Sequence, residues 1–206
     1  MVTVKTPEEY IRGFPHKTLP RIDGEPTYAS IRLLQKKLAA NAATIKTTLG
    51  GGAHGYLALC LTPAAYATHS LTAFVPPINP GNAPVFPIRA TSAAIAAIKA
   101  THDENLRRWE EYNAVMQALK NQLIAAVDEV YLKAIADPVT EYTNLNLMAM
   151  LHHLYNTYGK ITKERLEKNR NEMTASYDVT LPINSLFNRI EECIDFADAA
   201  RSPYSQ

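Results

Sequence analysis

The segment from Leu49 to Ser70, LGGGAHGYLALCLTPAAYATHS, is the part of the sequence whose spacing comes nearest to a chemical site. Its glycines spell G-x-G-x-x-G, which in dinucleotide-binding proteins joins a β-strand to a helix and lets the backbone approach a pyrophosphate. Here the preceding residues have the spacing of a helix, and no acidic residue stands about twenty residues further on. We therefore interpret the glycines as a structural hinge that ends a helix, comprising Gly50, Gly51, Gly52 and Gly55. A nucleotide-binding enzyme is the third-ranked alternative.

The other reactive side chains form no recognisable catalytic or metal-binding motif. The six histidines include no H-E-x-x-H, and the sequence contains no G-x-S-x-G. Cys60 lies in an apolar run and Cys193 on an apolar helical stripe, where buried structural thiols are expected. Unpaired cysteines and an N-terminus without an apolar leader suit a reducing, cytoplasmic location. We predict a protein that is not an enzyme, with no catalytic residue, cofactor, metal or small-molecule substrate.

Most of the sequence has the periodicity of amphipathic helices. Apolar residues recur every three or four positions, and threonine or proline stands at several of the expected helix starts. The predicted helices run from Thr27 to Gly50, from Thr62 to about Ser70, from Thr91 or Ser92 to about Ile135, from Glu141 to Tyr158, from Thr162 to about Ala175, and from about Thr180 onward. The prediction is an all-α bundle of about six helices, in a single domain that spans residues 27–206.

Two proline-rich segments interrupt the helical periodicity. Residues 1–26 contain Pro15, Pro20 and Pro26 among glycines, which predicts an extended N-terminal arm. Residues 73–90 contain five prolines, which predicts a rigid and turn-rich loop. We also consider a short β-hairpin between residues 56–61 and 73–75. The longest apolar run, from Tyr56 to Leu61, is too short to cross a membrane.

Acidic and basic residues balance over the whole chain but are concentrated in different segments. The formal net charge is +1, so bulk charge does not favour nucleic acid or a membrane as a partner. Residues 160–172 carry five basic and three acidic side chains, whereas residues 189–198 carry one basic and four acidic side chains. One interpretation is two ordinary solvated helix faces. The other is a pair of complementary patches that meet between copies of the chain, formed by Lys163, Arg170, Glu191 and Asp195.

The sequence also resembles a known family. The glycine segment followed by AFVPPINPGNAPVFP, and the later string LHHLYNTYGKITKERLEKNRNEMTASYDVTLPINSLFNRIEECIDFADAA, are similar to Gag-like proteins of copia-type LTR retrotransposons from algae and other protists. The similarity runs from about Phe14 to Gln206 and rests on helix patterns rather than on a catalytic signature. It implies a capsid subunit that assembles with itself into particles around RNA.

This resemblance assigns provisional roles to several segments. We expect the arm 1–26 and the loop 73–90 to lie at contacts between subunits, with Pro76, Pro77 and Pro80 in the loop. No zinc knuckle of the pattern C-x-x-C-x-x-x-x-H-x-x-x-x-C is present, so RNA binding is expected to be weak. A coat subunit of a filamentous assembly is the second alternative. The residues expected to contact RNA are Lys36, Lys37 and Lys46.

Overall fold

Residues 4–200, which the computed structural model describes, contain seven α-helices and four short 3-10 turns. The helices are α1 (Pro7–Gly13), α2 (Tyr28–Ala43), α3 (Pro63–Ala67), α4 (Ser92–Ala126), α5 (Leu147–Thr157), α6 (Lys163–Thr174) and α7 (Ile183–Ala199). The 3-10 turns are Leu49–Gly51, Leu57–Leu59, Glu129–Tyr131 and Lys133–Ile135. The predicted all-α fold is confirmed, with one helix more than the six expected.

Most helices begin where the sequence supplies a side-chain oxygen. Thr62, Thr91 and Thr162 each accept a hydrogen bond from the backbone N–H three residues later, as predicted for these N-caps. Asn146 does the same for α5, so that helix begins later than predicted. These caps satisfy backbone donors that would otherwise lack an intrahelical partner.

The helices α2 and α4 end earlier than their apolar periodicity predicts. The carbonyl of Ala42 accepts a hydrogen bond of 3.0 Å from the N–H of Tyr56, so α2 ends well before Gly50. The carbonyl of Ala126 likewise accepts a hydrogen bond of 2.8 Å from the N–H of Ile22. In both cases a distant part of the chain binds the last turn. Periodicity within the helix gives no sign of such a contact.

The predicted β-hairpin does not form in the described residues. Residues 57–59, which would supply its first strand, form a 3-10 turn. The β-bridge that occurs in residues 4–200 is an isolated one between Asp137 and Glu141. Tyr56, Leu59 and Cys60 of the apolar run are buried, and burial of a short apolar run does not require a strand.

The N-terminal segment is not an extended arm, which corrects the prediction. Thr6 and Glu9 form a capping box and Pro7 occupies the first turn, so residues 7–13 form α1. The prolines that suggested an extended chain all follow this helix. Tyr10, Phe14 and Ile22 are buried against the rest of the fold. The segment is therefore part of the core and not a free arm available to other subunits.

Two amides hold this segment between α2 and α4. The side chain of Asn41 accepts the N–H of His16 at 2.9 Å and donates to the His16 carbonyl at 2.8 Å and to the Gln122 side chain at 2.9 Å. Gln122 donates in turn to the carbonyls of His16 at 2.7 Å and Lys17 at 3.0 Å. Both amides are buried. The polar groups of an extended backbone are thus satisfied inside an apolar core.

The apolar core lies between α2, α4 and α5, with α1 and the segment after α2 packed around it. The second half of α4 enters it, from Val115 to Ala126, whereas the first half lies outside. The largest fully buried aliphatic side chains of the core include Leu34, Leu38, Leu119, Leu123, Leu151 and Leu154.

The helices α6 and α7 form an antiparallel hairpin beside this core. Asn169 donates a hydrogen bond of 2.8 Å to the carbonyl of Cys193, and Arg189 donates one of 2.7 Å to the carbonyl of Ala175. Cys193 and Ala197 are buried but do not belong to the central cluster. The hairpin is therefore a second, smaller packing unit.

We predict that Asn41→Ala lowers the free energy of unfolding by about 2–4 kcal/mol, because it leaves the His16 N–H without its acceptor and Gln122 without its donor in a buried site. The matched control is Asn144→Ala, since Asn144 is exposed; its effect should stay within about 0.5 kcal/mol. Urea denaturation followed by circular dichroism measures both. Equal effects for the two variants would show that the network does not hold the N-terminal segment.

Candidate interaction surfaces

The glycine segment is a tight turn whose interior is filled by protein atoms. A Cβ on Gly55 would lie 2.6 Å from the carbonyl oxygens of both Ala43 and Ile45. A Cβ on Gly50 would lie 2.2 Å from the hydroxyl of Tyr66. Only glycine fits where the backbone passes this close. Positive φ angles occur at all four glycines predicted to form a hinge, which are Gly50, Gly51, Gly52 and Gly55.

The surroundings of this turn differ from those of a dinucleotide site. The helix α2 precedes it where a strand would be required, and a 3-10 turn follows the last glycine. The carbonyl of Gly50 accepts hydrogen bonds from the hydroxyls of Tyr66 at 3.3 Å and Ser70 at 3.1 Å. The turn thus uses the Gly50 carbonyl to bind side chains of its own chain.

An apolar groove of about 480 Å³ lies beside the turn. The aromatic rings of Tyr66, Phe74 and Tyr112 contribute to its lining, together with Leu71 and Met116. Tyr66 and Phe74 meet edge to face with ring centroids 6.0 Å apart. Charged side chains are missing from the lining, so the groove suits an apolar group and offers no acid or base.

The two thiols are in environments that disfavour reaction. Burial raises the pKa of the Cys60 thiol, and burial followed by the nearby Glu172 carboxylate raises the pKa of Cys193. Both groups are therefore protonated at neutral pH, and the protonated thiol is a poor nucleophile. Within residues 4–200, no three His, Cys, Asp or Glu side chains are grouped so as to hold a metal ion.

The helix α7 has apolar residues on two adjacent faces. Cys193 and Ala197 are buried on the side that faces α6, and Leu186 lies on the same side by helical spacing. A second set points outward and falls within an arc of about 60°, because each residue advances about 100° around the helix. Three of its members are exposed by 52% (Ile183), 56% (Phe187) and 39% (Ile194). We call this set the α7 stripe, and it comprises Ile183, Phe187, Ile190 and Ile194.

The α7 stripe faces away from the rest of the chain. On the opposite side of α7, Phe196 meets Tyr28 of α2 edge to face with ring centroids 5.6 Å apart. Asp195 also reaches α2, where it forms an ion pair of 2.6 Å with Arg32. The pairing of Asp195 within the chain argues against its predicted role between subunits. Its partner lies far away in sequence, so local charge patterns did not reveal it.

Charged residues border the α7 stripe on both sides. Glu191 and Asp198 are exposed and lie on the side away from α6. Lys163 and Arg170 of α6 are exposed on the other side. They project away from the cleft of about 320 Å³ between the hairpin and α2, whose lining on α6 includes Lys168. Three of the four predicted inter-subunit charges therefore lie beside the stripe. The second acidic residue beside it is Asp198 and not Asp195.

The proline-rich loop 73–90 forms a second exposed apolar surface. Its side chains Ile78 and Ile88 are exposed by 85% and 95%. The carbonyl of Gly81 lies 3.1 Å from the imidazole of His102 on the first half of α4. Phe86 lies beneath the ammonium group of Lys99, at 5.9 Å. The loop is thus held along α4 with its apolar side chains outward. Of the prolines predicted to contact other subunits, Pro76 is exposed at the edge of the aromatic groove, Pro80 lies against α4, and Pro77 is half-buried.

The three lysines predicted to contact RNA do not share one cleft. Lys46 lines two clefts together with Arg107, and neither of these clefts includes Lys36 or Lys37. Those two lysines lie on the outer side of α2, where Lys36 is exposed and Lys37 is half-buried. The Glu104 carboxylate binds Arg107 and Arg108, which lowers its pKa to about 2 and offsets the positive charge near Lys46.

Comparisons with known proteins identify no relative. A scan against protein-family models finds no match, and searches of curated proteins and of solved structures find none either. The resemblance to Gag-like proteins therefore stays a prediction. Among residues 4–200, none of the helices is both long enough and apolar enough to cross a membrane.

We predict a graded response to alanine at three glycines. Gly55→Ala should lower the free energy of unfolding by about 3 kcal/mol or more, because a left-handed backbone and clashes with three backbone carbonyl oxygens act together. Gly81→Ala should cost about 1–2 kcal/mol, since Gly81 is also left-handed but has no atom within 4 Å of the added carbon. Gly13→Ala, with neither problem, should be near neutral.

Thermal and urea denaturation rank the three variants. A Gly55→Ala protein as stable as Gly81→Ala would contradict the close approach inferred for this turn.

Proposed function

We propose that this chain is a structural subunit that assembles with copies of itself, as a Gag-like capsid protein does. The observation that carries the proposal is the presence of two separate exposed apolar surfaces, the α7 stripe and the loop 73–90. A single self-complementary surface closes a dimer, whereas a shell, tube or filament needs a second contact in order to grow. A chain with two such surfaces meets that requirement.

The physical character of each surface supports this role. The α7 stripe is a helix face, which buries apolar area efficiently against another helix. The loop 73–90 is stiffened by five prolines, so it loses little conformational entropy when it docks. Individual contacts of this size are weak, but an assembly repeats them many times.

The resemblance supplies the more specific parts of the proposal. It implies that the assembly encloses RNA, and the unpaired cysteines favour the cytoplasm as its location. Weak RNA contacts are consistent with a net charge of +1 and with the missing zinc knuckle. Lys36 and Lys37, on the outer side of α2, are proposed contacts, and so is Lys46, which lies beside Arg107, whose charge Glu104 and Glu111 partly offset.

We predict that the purified chain forms particles, sheets or tubes, visible by negative-stain microscopy and detected by light scattering over a range of salt and protein concentrations. Closed particles support the capsid proposal. Helical filaments that protect RNA from nuclease along their length would support the filament coat instead. A monomer under all conditions would contradict both.

We predict that placing two polar groups in the stripe, in the double variant Phe187→Gln and Ile194→Gln, abolishes assembly or weakens it at least about a hundredfold, because two large apolar side chains of each copy lose their burial. The matched control is Val130→Gln, which changes an isolated side chain that is 66% exposed. Circular dichroism checks that all the variants remain folded. Assembly that survives the double variant and is unchanged in extent would exclude α7 from the interface.

A further inference from the structure

We propose that two copies of the chain associate through their α7 stripes in a parallel arrangement, with the two-fold axis along the paired helices. This inference rests on the proposed self-association and adds which element pairs, in which direction, and which charges fix that direction. The occupant of the stripe is therefore a second copy of this chain.

The spacing of the α7 stripe suits helix-to-helix pairing. Its residues are separated by four, three and four positions, which is the alternation of a heptad seam. Ile183 and Ile194 at its ends are about 16 Å apart along the helix. Such a seam is long enough for four layers of apolar contact between two helices.

The charges on the two sides of the stripe are opposite in sign. Glu191 and Asp198 stand on one side, where a coiled coil carries its e positions. The g side of α7 is covered by α6, so α6 supplies the charges there, through Lys163 and Arg170. Among residues 4–200 none of these four side chains takes part in an ion pair within the chain.

The direction of pairing follows from these signs. In parallel helices the e side of one copy faces the g side of the other. Glu191 and Asp198 of one copy would then meet the basic residues of α6 in the other. In antiparallel helices like sides meet, so acidic residues would face acidic residues and basic would face basic. Charge complementarity therefore selects the parallel arrangement.

The acidic residues of α7 and the basic residues of α6 also lie at matching positions along the hairpin axis. The contact between Asn169 and Cys193 aligns the two antiparallel helices. Counting outward from it, Arg170 lies within one residue of the level of Glu191, and Lys163 within one residue of Asp198. A two-fold axis along the helices preserves these levels between copies. Both pairs can therefore form in the same dimer, about 10.5 Å apart.

Disulfide trapping tests the direction. Ile183→Cys and Ile194→Cys are made separately and exposed to a mild oxidant, which takes up the two electrons released when two thiols join. Parallel pairing places each new cysteine beside the same cysteine of the second copy, so each variant alone should give a covalent dimer. Antiparallel pairing would link only a mixture of the two variants, and that result would overturn the proposal. The unaltered chain, whose two cysteines are buried, gives the background.

Charge reversal tests the interaction itself. The double variant Lys163→Glu and Arg170→Glu should weaken association at least about tenfold, because four exposed ion pairs per dimer become repulsive. Adding Glu191→Lys and Asp198→Lys should restore most of the affinity. The control is Lys168→Glu, on the same helix but on the cleft side, which should change association little.

The outcomes separate this inference from the proposed function. Association that is insensitive to the reversal, or a quadruple variant no stronger than the double one, overturns the parallel interface and leaves self-association standing. A wild-type chain that is monomeric at every concentration in sedimentation velocity overturns both.

Discussion

The buried contact between Asn41, Gln122 and the backbone of His16 is the constraint on which the arrangement of this chain depends. It binds the N-terminal segment across α2 and α4, in positions where unpaired amides would cost about 1–3 kcal/mol each. Because it draws this segment into the core, the surfaces left for partners lie elsewhere. They are the loop held along the first half of α4 and the outer face of the α6–α7 hairpin.

The apolar region on α7 is wider than the face that neighbouring helices cover. The helix α6 covers the face of α7 that contains Cys193 and Ala197, and α2 meets the side that carries Phe196, so neither neighbour covers the α7 stripe. The residues on the adjacent face are as apolar but remain exposed. Exposed apolar area of this kind on an otherwise charged helix is typical of an interface. The charges beside it decide how that interface is oriented.

Local features of the fold could be predicted from the sequence, and contacts between distant segments could not. The N-caps Thr62, Thr91 and Thr162 were predictable because a cap acts within three residues. The helix α1 differs from the extended arm predicted for residues 1–26 because the capping box of Thr6 and Glu9 acts before the prolines that follow the helix. The charge pattern of α7 could not show that Asp195 is paired within the chain, because its partner Arg32 is distant in sequence. The apolar spacing of α7 could be read from the sequence, but the exposure of the α7 stripe could not, because it depends on which face of α7 is covered by α6.

Self-association of the chain can be measured as its molar mass by sedimentation equilibrium, over a wide range of protein concentrations at low and at physiological salt. If copies associate through the α7 stripe, the mass rises with concentration from the 22.8 kDa monomer to the dimer and beyond. Association should be weaker at the higher salt, because the flanking ion pairs are exposed. A mass of one chain at every concentration and salt would contradict self-association.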